Sequence, residues 1–283
     1  MIAAGVVALA AALLFAVGSV AQQRAASQIT TDEATGLRLM LTLIRRPLWW
    51  AGFGGDAGGY ALQAVALGLG SLLLVQPLLV ASLIFALPIG ARWSGRRLGR
   101  ADLLWAGGLT AALALFMIVG EPTQGVDHAS ARSWLWAGVA LGALVGLSIA
   151  GAALTSGALR ASLLAIATGV CFGLAAALTK SVVDQLTVSL LEPFTSFELY
   201  TLVAAGGLGF FLQQEAFQAG SLEASLPAMT VLEPVVAAGV GIAILQEQLR
   251  ATGLEIAVLA VTVVVMVAAT VALSRSAARA GIT

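Results

Sequence analysis

Nine successive stretches of about twenty residues, each nearly free of charge, leave this chain few folds to adopt. They run roughly over 2–21, 48–69, 71–91, 102–120, 134–152, 160–178, 198–216, 225–245 and 253–273. A helix of about 20 apolar residues crosses the hydrocarbon core of a bilayer. By contrast, 60% hydrophobic against 10% charged residues leave too little polar surface to wrap a soluble core of 283 residues. A transmembrane β-barrel would alternate apolar and polar positions, whereas these runs are continuous and rich in Ala, Leu, Val and Gly. The expected fold class is an all-α membrane protein with about nine transmembrane helices. Cys171 is the one cysteine and falls in the sixth run, so neither a disulfide framework nor a thiolate metal cluster is available.

Alternating the sides of nine crossings sorts the basic residues. One side receives Arg24, Arg38, Arg45, Arg46, Arg92, Arg96, Arg97, Arg100, Arg160, Arg275 and Arg279, the other Arg132, Lys180 and Arg250. Short cytoplasmic loops accumulate Lys and Arg. Eleven against three therefore puts the N-terminus outside, the C-terminus inside and the segments 22–47 and 92–101 in the cytoplasm. A multi-pass protein of the cytoplasmic (plasma) membrane is expected. Ser19-Val20-Ala21 resembles a small-residue cleavage site, but a signal peptide starts with basic residues. Met1 to Leu14 has none, and Arg24, Arg38, Arg45 and Arg46 follow, so the first run reads as a retained helix.

The chain also contains itself twice. Leu62-Gln63, Ala66, Gly70-Ser71-Leu72 and Pro77 return 150 positions later as Leu212-Gln213, Ala216, Gly220-Ser221-Leu222 and Pro227. Leu14-Phe15-Ala16-Val17-Gly18 in the first run resembles Cys171-Phe172-Gly173-Leu174-Ala175 in the sixth. Taken in order, runs one to four map onto six to nine and leave the fifth unpaired, a 4+1+4 arrangement. One extra crossing between the copies reverses the second, which gives the inverted-topology repeats on which many secondary transporters build a midplane site. The expected organisation is a first repeat over 1–120, a connector over 121–157, a second repeat over 158–274 and a short cytoplasmic tail over 275–283.

Gly138, Gly142 and Gly146 in the connector, and Gly54, Gly55, Gly58 and Gly59 in the second run, form stripes that let helices approach closely. Packing within the chain is the first reading of both, with a homodimer contact as the alternative for the connector. Trp49 and Trp50, after Arg45-Arg46-Pro47, read as interfacial anchors, as do Trp93, Trp105, Trp134 and Trp136.

Leu232-Glu233-Pro234-Val235, followed by Gln246-Glu247-Gln248-Leu249, resembles the drug/metabolite transporter superfamily, whose EamA-type domains carry a Leu-x-Pro-Val type element before a Glu-Arg-Leu turn. Arg46-Pro47-Leu48-Trp49-Trp50-Ala51-Gly52 and Val75-Gln76-Pro77-Leu78 look more particularly like the NIPA-type branch, to which magnesium transport is attributed. The resemblance implies a carrier. In the first copy the turn reads Gly95-Arg96-Arg97-Leu98, without the acid the family usually has there.

Glu233 is near the centre of its run, where an acidic residue costs about 2.5 to 3.5 kcal/mol and normally faces the bundle interior or a wet cavity. Pro234 removes a backbone donor and leaves the carbonyl of Thr230 without its helical partner, a polar notch on the face of Glu233. Glu233 is the first candidate for a substrate or coupling-ion site, against the reading of a protonated side chain that merely bonds a neighbouring helix. Asp56 is the second candidate, with Gln63 two turns further on its face. Gln213, Gln214 and Glu215 include the repeat mate of Gln63 and belong either to the pathway or to the membrane interface. Glu255, Asp102, Glu121 and Glu247 at run ends, and His128 in an outer loop, read as solvated.

No phosphate-binding glycine loop, metal-binding His pair or activated nucleophile is apparent, so the expectation is a protein that is not an enzyme, without cofactor or nucleic-acid partner. Three functions stand open. One is an alternating-access carrier of a small organic metabolite or drug. Another is a magnesium or other divalent cation carrier, with Asp56 and Glu233 as the metal-binding acids if they converge. The last is a membrane scaffold without transport.

Overall fold

Helices begin where the apolar runs meet capping residues. Arg46 is extended (φ −99°, ψ 121°) and Pro47, whose fixed φ suits a first helical position, opens the second long helix. Ser71 and Ser130 accept the backbone N–H of Leu74 and Ser133. Asp102 and Glu255 reach back to the N–H of Gly99 and Thr252, at 3.0 and 2.8 Å. The computed structural model describes residues 2–29, 36–93, 98–123, 125, 130–219 and 222–281. Within them lie α1 (Ile2–Ser27), α2 (Gly36–Leu43), α3 (Pro47–Leu69), α4 (Leu72–Leu79), α5 (Ser82–Trp93) and α6 (Arg100–Gly120). Beyond these follow α7 (Ala131–Ala153), α8 (Gly157–Val188), α9 (Glu192–Thr195), α10 (Phe197–Ala219), α11 (Leu222–Ala243) and α12 (Leu254–Gly281). Among the described residues the only β pairing is an isolated antiparallel bridge between Pro122 and Leu249.

Six helical stretches among the described residues are long and apolar enough to cross a membrane: Ile2–Ala26, Leu72–Trp93, Arg100–Gly120, Arg132–Ala153, Gly157–Val188 and Leu254–Leu273. Ala228–Ala243 adds a shorter one. The chain is an all-α, multi-pass membrane protein. Although α3 and α10 match these in length, their apolar character is diluted, by glycines and Asp56 in α3 and by the Gln213-Gln214-Glu215 cluster in α10.

Four details depart from the sequence reading. The 22–47 segment holds a helix, α2, which buries Leu39 and Leu43. The third run is bent, because i→i+3 bonds at Val80 and Ala81, past Pro77, join α4 to α5. The sixth helix continues past 178 to Val188, and α12 extends to Gly281 through the expected tail. Trp49 and Trp134 are buried, the former between Phe53 and Phe210, so neither is an interfacial anchor; Trp50 remains exposed.

Close approach fixes the packing of α1 on α3. A Cβ on Gly55 would lie 2.9 Å from the Cα of Gly18, and one on Gly52 would lie 2.9 Å from the carbonyl oxygen of Gly18. Further along, the ring of Phe15 covers Gly59, 2.9 Å from where its Cβ would be. The pairing of α8 with α10 repeats this: the ring of Phe172 covers Gly209 at the same 2.9 Å. Gly59 and Gly209 are 150 positions apart, the spacing of the sequence repeat. The glycine stripe of α7 behaves otherwise. Among the described residues nothing lies within 4 Å of a Cβ built on Gly138, Gly142 or Gly146, so packing against them does not explain it.

Contacts sort the helix ends into two groups. At one end Thr123 N–H donates to Gln248 O (2.9 Å), Arg250 N–H to Gly120 O (2.9 Å) and Lys180 Nζ to Leu67 O (3.5 Å), while Gly70 meets Ala4. At the other Arg24 donates to Trp93 O (3.1 Å), Arg160 pairs with Glu215 (3.6 Å), and α2 rests on α10.

Candidate functional site

Asp56 projects from the glycine face of α3 toward α1, into space that a side chain at position 18 would fill. One turn past Gly18 on the same face, Gln22 donates from Nε2 to Asp56 Oδ2 at 2.8 Å. Its Oε1 accepts from Nε2 of Gln214 on α10 at 3.1 Å. Gln22 and Gln214 are almost wholly buried, so two amides carry a polar line from α10 through α1 to the carboxylate on α3. Both amide oxygen and nitrogen of Gln22 find partners, whereas Gln214 is bonded through Nε2 and its Oε1 has none. The reading from sequence found Asp56 and Gln214 and missed Gln22, whose signal was its place one turn beyond the small residue of the contact face.

Glu233 stands midway along α11. Its backbone rests on α8, where a Cβ at Gly173 would lie 2.7 Å from the Glu233 carbonyl oxygen. Its side chain is half-buried, and among the described residues nothing hydrogen-bonds its carboxylate. Both α11, which carries Glu233, and α3, which carries Asp56 and Tyr60, pack against α8. Tyr60 and Thr179 join α3 to α8 through their hydroxyls at 2.9 Å. Thr179 spends its proton on Ala175 O (2.8 Å), which makes Tyr60 the donor and leaves the phenol oxygen free to accept. Asp56, Glu233 and the phenol oxygen of Tyr60 are acceptors on helices that share α8 as a neighbour, each able to take a proton, a cation or a donor of a polar solute.

The remaining candidates separate. Thr230 is half-buried one turn before Glu233 and has a partner of its own; Pro234 sits inside an unbroken α11. Gln63 is buried with its Nε2 unpartnered, whereas its repeat mate Gln213 is half-exposed. Glu215 pairs with Arg160 at a helix end, which favours its interfacial reading. His128 and the Gly95-Arg96-Arg97 part of the first-copy turn lie outside the described residues. No three His, Cys, Asp or Glu side chains gather as a metal cage among the described residues. A groove of about 400 Å³ between α6 and α12, lined by Phe116, Leu249, Ile256 and Leu259, is apolar and holds none of these polar groups.

Two charged residues that the sequence reading put at the ends of runs are buried. Lys180, assigned to an outer loop, is 3% exposed within α8 and pairs with Asp184 at 3.5 Å, an i,i+4 spacing that was its signal in the sequence. Glu247, assigned to a solvated turn, is 1% exposed and accepts the backbone N–H groups of Leu72 (2.8 Å) and Leu73 (2.9 Å) at the start of α4. Exposed Glu121 and Glu255 keep the solvated reading.

These features define a multi-pass helical membrane protein with an acidic, amide-bridged centre. It belongs to the same family as an uncharacterized protein of Corynebacterium glutamicum, to which it is 36% identical over 275 residues, 95% of this chain and 93% of the relative. No family model matches the chain. No solved structure matches it either.

Proposed function

We propose that the chain is a secondary carrier that moves a small solute across the cytoplasmic membrane by alternating exposure of a site around Asp56, Tyr60 and Glu233. One observation carries this reading: Glu233, at the middle of α11, is a half-buried carboxylate without a hydrogen-bond partner among the described residues, on a helix that packs against α8 as does the helix of Asp56 and Tyr60. Intramembrane carboxylates are costly and typically mark solute or proton paths.

Nine crossings in a 4+1+4 arrangement, with the N-terminus outside, fit the sorted helix ends. On that sorting α1 and α8 run in opposite senses, as do α3 and α10, while each pair carries the same Phe-on-Gly contact. The packing of one alanine- and glycine-rich face of α1 against α3, α4 and α5 supports its retention. The resemblance to the drug/metabolite transporters agrees with such a topology. A small organic metabolite or drug is the first substrate class. A divalent cation is the second, since magnesium keeps several waters and needs few protein oxygens, which Asp56 and Glu233 would supply. No enzymatic step or cofactor is invoked. Purified protein in liposomes tests the reading: solute or cation flux that survives Glu233→Gln together with Asp56→Asn excludes this site, and thermal-shift screening of magnesium against metabolites chooses the substrate class.

A further inference from the structure

The start of α4 is capped from a distant part of the chain. Leu72, Leu73 and Leu74 are buried, so their N–H groups, orphaned at a helix start, have no water to satisfy them. Ser71 takes Leu74, and Glu247 takes Leu72 and Leu73 from a loop about 175 residues further along the chain. Glu247 is itself seated against Gly241, where a Cβ would come within 3.0 Å of its Oε2, and it feels the charges of Lys180 and Asp184 on α8. The same loop is stitched to the end of α6 by Thr123 N–H to Gln248 O and Arg250 N–H to Gly120 O, around the Pro122–Leu249 bridge. One short loop of the second half thus closes on two separate elements of the first, all at the end of the bundle that the proposed topology puts outside.

We propose that the 245–250 loop is the outer gate and that Glu247 is its latch: access from that side requires the Glu247 carboxylate to leave the start of α4. A carboxylate suits this role because its bonds to α4 are made through two backbone groups and can break together without unfolding either helix. The consequence for flux rests on the carrier reading above, whereas the closure itself does not.

Accessibility separates the two. With Cys171→Ala as background, Gln76→Cys places a thiol one turn below Leu72, at a position only 1% exposed. The purified full-length protein in detergent is treated with a water-soluble maleimide. The expected result is at least tenfold faster labelling with Glu247→Ala, and an intermediate rate with Glu247→Gln, which keeps one acceptor oxygen. Unchanged labelling in either variant, with gel filtration and tryptophan emission as in the parent, overturns the latch. Should Glu247→Ala not fold, Thr123→Cys with Gln248→Cys provides the second arm. Oxidation is expected to reduce flux in liposomes at least tenfold, with recovery on reduction, and full flux through the cross-linked protein overturns the gate. A parent protein that moves no solute removes the carrier reading alone, and the labelling rates still decide the latch.

Discussion

Gln22 Nε2 lies 2.8 Å from Asp56 Oδ2, so the acid of α3 is solvated by an amide rather than neutralised by a cation. This keeps Asp56 available to a charged or protic visitor, since a neutral donor steadies the carboxylate without cancelling it. Asp56→Asn retains the geometry and removes the charge. It is expected to leave thermal unfolding in detergent within a few degrees of the parent while flux in liposomes falls by more than about tenfold. Gln22→Leu strands the carboxylate and is expected to destabilise the protein by about 1–3 kcal/mol, seen as a lower Tm.

Neighbouring glycines on α3 give a sharp contrast. Gly55→Ala drives a methyl into the backbone of Gly18 and is expected to lower the Tm strongly, overpacking of this kind costing about 1–3 kcal/mol. Gly54, with nothing within 4 Å of its Cβ position, is expected to accept Ala with no loss and a gain of up to about 1 kcal/mol from helix propensity. Equal effects at the two positions would contradict the α1–α3 contact.

The Tyr60–Thr179 bond is open to a double-mutant cycle. Tyr60→Phe and Thr179→Val each remove it, so the two losses in unfolding free energy should fail to add, with a coupling of about 0.5–1.5 kcal/mol. Additive losses would show that the α3–α8 contact is not made through these hydroxyls.

Glu247 supplies a pH signature. Burial holds its carboxyl above the ordinary value of 4.5, against the opposing effect of the Leu72 and Leu73 amides and Lys180. The folded protein therefore keeps a proton that the unfolded chain releases, and this group's contribution to stability falls as pH rises from 4.5 through the raised value. Glu247→Gln cannot titrate. Scans of Tm between about pH 4 and pH 8 should show a smaller decline in the variant than in the parent; identical slopes would place the dependence elsewhere.

Much of the helical framework was legible because hydrocarbon permits so little else. A run of twenty apolar residues has one economical conformation in a bilayer, and each of the nine runs coincides with helix, the third as the bent pair α4 and α5. Asp56 and Glu233 were legible for the same reason, as charges where charge is expensive. Lys180, Glu247 and Gln22 were not. Position relative to a run identifies a residue as terminal, but whether that end is wet depends on what packs over it, and neither the length of α8 nor the fold of the 245–250 loop over α4 has a local signature. The interfacial reading of Trp49 failed likewise, because aromatic partners such as Phe210 come from α10, more than 150 residues away.

The loop that holds Glu247 is short, irregular in backbone and at the end of the bundle, the kind of segment where insertions are ordinarily best tolerated. Here Leu245 and Glu247 are buried while Gln246, Gln248 and Arg250 face out, so the loop is pinned by alternate residues. Its length is set by the distance between α11 and the amides of α4, so a residue added between Leu245 and Leu249 would shift the carboxylate out of register with Leu72 and Leu73. An epitope tag or reporter domain belongs instead at a terminus. Among homologues of differing loop lengths, this is the connection expected to vary least.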